Sequence, residues 1–123
     1  RMIPMKANAP YHSKLMEFLK PKFTEILSQV NIKSPAFPIL STVSGEIISD
    51  PSKISESLIN QLVTPVKWTQ ALEKLKSMGI ECLVDIGPNK IVKNLALENP
   101  NFTQVLAYDE PEDLDKLQLL LSK

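Results

Sequence analysis

The segment Asn8-Ala9-Pro10-Tyr11-His12-Ser13 holds the single histidine of the 123-residue chain. That makes it the one side chain whose unperturbed pKa lies close to neutral pH. It stands just ahead of a helical run that begins near Leu15, where an imidazole can face a cleft and carry protons. The same ring can equally cap or pack against the helix, and the segment alone leaves both readings open. The other reactive type is Cys82, the lone cysteine, set in an apolar run with no thiolate-stabilising neighbour. It reads as a buried structural thiol. Without a second cysteine no intrachain disulfide can form, which fits a reducing compartment. Gly87-Pro88-Asn89-Lys90 superficially resembles a phosphate-binding loop. It offers one glycine where a dinucleotide fingerprint needs three, and no Gly-Lys-Ser/Thr, so nucleotide binding is not expected.

Composition narrows the classes further. Fourteen basic side chains balance fourteen acidic ones, so no net field attracts nucleic acid or a membrane surface. Every basic residue except Arg1 is lysine, and a bidentate arginine fork for an anionic substrate would have to come from elsewhere. No apolar run approaches a membrane span and no signal peptide is visible. The chain opens on Arg1 rather than methionine, and we expect an N-terminal part of a longer protein to be missing.

These candidates need elements to hold them. Residues 1–9 look extended, with Met2, Ile3, Met5 and Ala7 interrupted by Pro4. Leu15, Phe18, Leu19, Phe23, Ile26, Leu27 and Val30 follow helical spacing, with Pro21 kinking the run or opening a second helix and Asn31 as its stop. Ala36–Val43 reads as a buried strand, and Ser44-Gly45 as a turn into a short extended piece at Ile47-Ile48. Asp50-Pro51 caps and opens a helix with Ile54, Leu58 and Leu62 on its apolar face. Thr64-Pro65 opens the next, carrying Trp68, Leu72 and Leu75 and ending at Gly79. Cys82–Ile86 is a second buried strand and Val105–Ala107 a third. A short helix from Ile91 lies between them, and a last helix from Pro111 carries Leu114, Leu117 and Leu121. Strands alternating with helices predict an α/β fold with a parallel sheet covered on both faces, a three-layer core.

Three motifs in order carry a family resemblance. They are Ala9-Pro10-Tyr11-His12-Ser13-x-Leu15-Met16, Gln61-Leu62-x-x-Pro65-Val66-x-Trp68 and Asp85-Ile86-Gly87-Pro88-x-Lys90. Together they resemble the C-terminal part of malonyl-CoA:acyl carrier protein transacylase, the acyltransferase of fatty acid and polyketide synthesis. The match runs from about Met2 to the last helix. The resemblance implies residues 10–123 as the C-terminal part of an α/β-hydrolase-like core, with residues 1–9 as the end of an inserted ferredoxin-like subdomain.

It also implies a reaction. A serine on a G-x-S-x-G turn attacks malonyl-CoA, forms a malonyl-serine ester, and passes the malonyl group to the phosphopantetheine thiol of an acyl carrier protein. The family's general base falls on His12, and the main-chain carbonyl that orients it falls on Gln61. A neutral imidazole activates serine only if its other nitrogen keeps the proton, which an acceptor behind it ensures. Gln61 lies near the end of a predicted helix, where carbonyls lack intrahelical partners. Apart from the resemblance it reads as a surface residue on a short helix. Tyr11 matches an aromatic position of malonyl-selective members, where a ring fills the space an α-methyl group needs. It reads equally as a packing residue that positions the loop.

The chain also departs from the family pattern. Asn89 replaces a glycine common after Gly-Pro and should preserve the turn, because asparagine tolerates a left-handed backbone. Thr42 replaces an asparagine. There is no G-x-S-x-G, no carboxylate-binding arginine and no N-terminal oxyanion glutamine, and Ser13 and Ser41 have no nucleophile-elbow context. We therefore expect a chain that is inactive alone, supplies His12 to a site completed by a missing N-terminal portion, and needs no cofactor beyond its substrates. A cytoplasmic location is expected, or a plastid-type organelle in a eukaryote. Two alternatives stand beside this reading. One is an acyl hydrolase of the same fold. The other is a non-catalytic carrier-protein docking fragment using Lys14, Lys20 and Lys22.

Overall fold

The computed structural model describes residues 8–99 and 102–122, so the extended segment expected at residues 1–9 falls largely outside the described residues. The chain divides into two compact units, residues 1–71 and 72–123.

In the first unit, a 3₁₀ turn over Lys14–Leu19 leads directly into α1 (Lys20–Leu27), which has Pro21 in its first turn. Proline suits that position because its missing N–H has no helical acceptor there. The apolar stripe expected along this run divides accordingly. In a 3₁₀ turn residues three apart eclipse one another. Leu15 and Phe18 thus share an exposed edge, 71% and 72% exposed, whereas Met16 is buried. The helix stops at Leu27 rather than at Asn31.

Ala36–Val43 is not the buried strand its composition suggests. Only Ile39–Leu40 (β1) is extended, paired antiparallel with Ile47–Ile48 (β2), and Phe37 is 81% exposed. Ser41 ends the strand. Its main chain closes a tight turn, with Ser41 N–H to Glu46 O at 2.9 Å and Gly45 N–H to Ser41 O at 2.8 Å. Its hydroxyl is buried against the Ser57 hydroxyl at 2.7 Å. Gly45 takes φ +80°, a conformation that favours glycine. Helix α2 (Pro51–Asn60) packs on α1. Its cap is Asp50, whose carboxylate accepts from Ser52 N–H at 2.7 Å and Lys53 N–H at 3.4 Å.

Helix α3 (Trp68–Ser77) begins three residues after Pro65. It ends in a left-handed glycine cap: Gly79 has φ +78°, its N–H bonds to Lys76 O, and the Ile80 N–H reaches Leu75 O.

The second unit is built on a parallel pair, β3 (Cys82–Asp85) and β4 (Gln104–Ala107), in register Cys82↔Gln104 to Asp85↔Ala107. A parallel pair cannot be joined by a tight turn and needs a crossover, which α4 (Ile91–Leu97) supplies by packing on both strands. Helix α5 (Pro111–Leu121) packs on β4. Leu106, Ala107, Ala96 and Leu117 form the buried apolar centre. The chain is thus an α/β protein with a parallel sheet, two-stranded among the described residues, and β1 belongs to a separate antiparallel pair.

Candidate active site

His12 occupies a left-handed backbone conformation, φ +58°. Few non-glycine residues adopt it, though histidine is among those enriched there. The loop around it is tied at both ends. Ser13 Oγ donates to Pro10 O at 2.7 Å, and Ser13 O accepts from Met16 N–H at 3.0 Å. From this loop the imidazole Nδ1 lies 2.7 Å from the main-chain oxygen of Gln61, 49 positions along the chain. A carbonyl oxygen only accepts, so Nδ1 carries the proton and a neutral ring keeps its lone pair on Nε2. His12 is exposed.

The free carbonyl has a local cause. Gln61 is the C-terminal cap of α2. The next two amides turn back to other acceptors, Leu62 N–H to Ile59 O and Val63 N–H to Asn60 O. A continuing helix would have brought the amide of residue 65 to Gln61 O, and residue 65 is a proline without an N–H. In the sequence Gln61 is marked by the helix end and by the family resemblance, and the Gln-to-Pro spacing of four marks it as well.

The other candidates separate. Tyr11 sits beside His12 and is 63% exposed. Of the three lysines near this helix, Lys20 pairs with Glu17 at 3.4 Å and Lys22 with Glu25 at 3.0 Å, so much of that positive patch is neutralised locally. Ser41 accepts from the Val43 and Ser44 amides at 3.2 and 3.4 Å besides its Ser57 bond. It is a turn anchor. Thr42 contributes its main-chain oxygen, which accepts from Lys67 N–H at 2.8 Å.

In the second unit the Gly87–Lys90 turn is occupied by the protein's own carboxylates. Asp85 accepts from Gly87 N–H at 3.0 Å and from Lys93 N–H at 2.9 Å, and Asp109 accepts from Asn89 N–H at 2.7 Å. A phosphate would find these amides taken and the neighbourhood acidic. Asn89 has φ +71°, as expected of the residue replacing glycine. Burial pushes the Cys82 thiol up, which leaves it mostly protonated and unreactive.

Among the described residues the most buried charge is one that no sequence motif marks. The Asp113 carboxylate, 3% exposed, accepts from Lys93 Nζ at 2.5 Å and from Ala107 N–H at 2.8 Å. The Lys93 bond first, then the Ala107 amide, hold its pKa below the ordinary carboxylate range, and the same bond raises that of Lys93. Among the described residues no group of three or more His, Cys, Asp or Glu could hold a metal ion. Nor is any described helix long and apolar enough to cross a membrane.

No family model matches the chain. Individual relatives do. The malonyl CoA-acyl carrier protein transacylase of Bacillus subtilis is 31% identical over 115 residues, which is 94% of this chain and 36% of the relative. Its counterpart in Buchnera aphidicola is 33% identical over 102 residues, 83% of this chain and 33% of the relative. Among solved structures, FabD from Acinetobacter baumannii matches with a TM-score of 0.87 at 28% identity, covering 98% of this chain and 39% of that one. A malonyl-transacylase in complex with its type II PKS acyl-carrier protein matches with a TM-score of 0.81 at 27% identity, covering 91% of this chain and 36% of that one. The chain spans about a third of the length of the relatives it matches.

Proposed function

The chain is homologous to part of the malonyl CoA-acyl carrier protein transacylases, and on that premise we propose that it supplies the proton-transfer half of a malonyl transfer to a carrier-protein thiol. The observation that carries this reading is the 2.7 Å contact between His12 Nδ1 and Gln61 O. We read residues 10–123 as the C-terminal part of an α/β-hydrolase-like core and residues 1–9 as the end of an inserted subdomain. The nucleophilic serine and the groups that bind the malonyl carboxylate come from the portion of the enzyme outside this sequence.

In the first half-reaction Nε2 of His12 takes the serine hydroxyl proton as the oxygen attacks the thioester carbonyl of malonyl-CoA. The imidazolium returns that proton to the departing CoA sulfur, leaving a malonyl-serine ester. In the second, Nε2 takes the proton of the phosphopantetheine thiol, whose sulfur attacks the ester, and the serine oxygen recovers the proton. His12 is general base and then general acid in each half. Throughout, Gln61 O keeps Nδ1 protonated and the ring aimed. A neutral carbonyl stabilises the imidazolium less than a carboxylate would, but it fixes the tautomer just as well. A carrier-protein acceptor rather than water is supported by the relative solved with its carrier protein. No cofactor is required by these steps.

The test is His12→Ala in the full-length enzyme, with malonyl-serine ester formation followed by mass spectrometry. Loss of at least about a hundredfold in rate is expected for removal of a general base. Near-normal labelling removes His12 from the mechanism.

A further inference from the structure

We propose that Ser13 is a positioning residue for His12. This rests on the reading of His12 as the proton carrier. A serine immediately before a helical turn ordinarily turns its hydroxyl forward to accept an amide of that turn. Ser13 stands at that position before the turn Lys14–Leu19, yet its side chain makes no capping bond. The hydroxyl points backward and donates to Pro10 O at 2.7 Å.

That bond closes a ring of four residues around Tyr11 and His12. Its two anchors are stiff. Pro10 has a fixed φ, and the Ser13 carbonyl is held by the amide of buried Met16 at 3.0 Å. Between them His12 sits at φ +58°, which L side chains adopt only where their surroundings impose it. Remove the hydroxyl and the backbone at His12 is free to relax to negative φ, which swings the Cα–Cβ bond and takes the ring off Gln61 O. Ser13 reaches no reacting atom in this scheme. It acts through the imidazole.

The experiment uses the full-length protein with ¹⁵N-labelled histidine, the His12 ring signals assigned by their loss in His12→Asn. In the parent the neutral ring is protonated at Nδ1. Ser13→Ala shifts it toward the Nε2–H tautomer and slows malonyl-serine formation roughly two- to tenfold, the range of one neutral hydrogen bond, with KM for malonyl-CoA unchanged. Ser13→Thr keeps a hydroxyl and restores both readouts. A Ser13→Ala protein with the parent tautomer overturns the role of Ser13 and leaves that of His12 standing. So does a Ser13→Thr protein that behaves like Ser13→Ala. A shifted tautomer with unchanged ester formation sustains the positioning of the ring and overturns His12 as the base.

Discussion

Pro65 stands four residues beyond Gln61, at the one position whose amide would otherwise close the next helical turn onto the carbonyl that meets His12. The acceptor is therefore left open by covalent chemistry as well as by the end of the helix. Pro65→Ala supplies the missing N–H and a residue that favours helix. We expect α2 to lengthen and the new amide to compete for the Gln61 oxygen. Single-turnover ester formation should fall several-fold, of the order of one hydrogen bond. An unchanged rate together with an unchanged helix content removes Pro65 from the arrangement.

Gln61→Ala should cost little, within about threefold in kcat, because the main-chain oxygen survives truncation of the side chain and alanine is a good helix former. A loss as deep as that of His12→Ala contradicts the main-chain role and points to the carboxamide instead.

Tyr11→Ser should relax discrimination against methylmalonyl-CoA. A methyl-sized clash is worth roughly 1–3 kcal/mol, about 5- to 150-fold in the ratio of the two kcat/KM values. The ring stands next to His12 in sequence and is 63% exposed. A ratio equal to that of the parent enzyme ends its part in selectivity.

The Asp113–Lys93 pair sets a pH window for stability. The folded pKa of Asp113 is lowered, so its contribution is present above the unfolded carboxyl value of about 4 and is lost as pH falls through the folded value. That of Lys93 is raised, so its contribution is present below about 10.4 and is lost as pH rises through the folded value. Asp113→Asn should lower Tm by several degrees, and the difference from the parent should stay level near neutrality and shrink in acid below about pH 4. A difference that stays constant into strong acid would mean that the charge is not what the site uses.

Where residue chemistry acts locally, the fold was legible. Asp50-Pro51 reads as a helix start, Gly79 as a helix stop and Asn89 as a residue that tolerates a left-handed turn, and each is found there. The His12–Gln61 contact was legible only through the family resemblance, because by itself Gln61 reads as a surface residue at the end of a short helix. Ala36–Val43 is apolar in content but not buried along its length. Ser41 makes its hydrogen bonds within a turn, which stops β1 at two residues. Asp113 carries no such local signal: from the first turn of α5 its carboxylate reaches across to an amide of β4 and to a lysine of α4. No local pattern encodes a partner 20 positions away.

The carboxylates that grip the Gly87–Lys90 turn have one more consequence. A glycine-rich loop that waits for a phosphate is ordered by its guest, and the entropy of that ordering is charged against affinity. Here Asp85 and Asp109 play the guest from the moment the chain folds. The turn should therefore keep the same shape whether or not anything binds nearby, a fixed wall of the molecule rather than a flap.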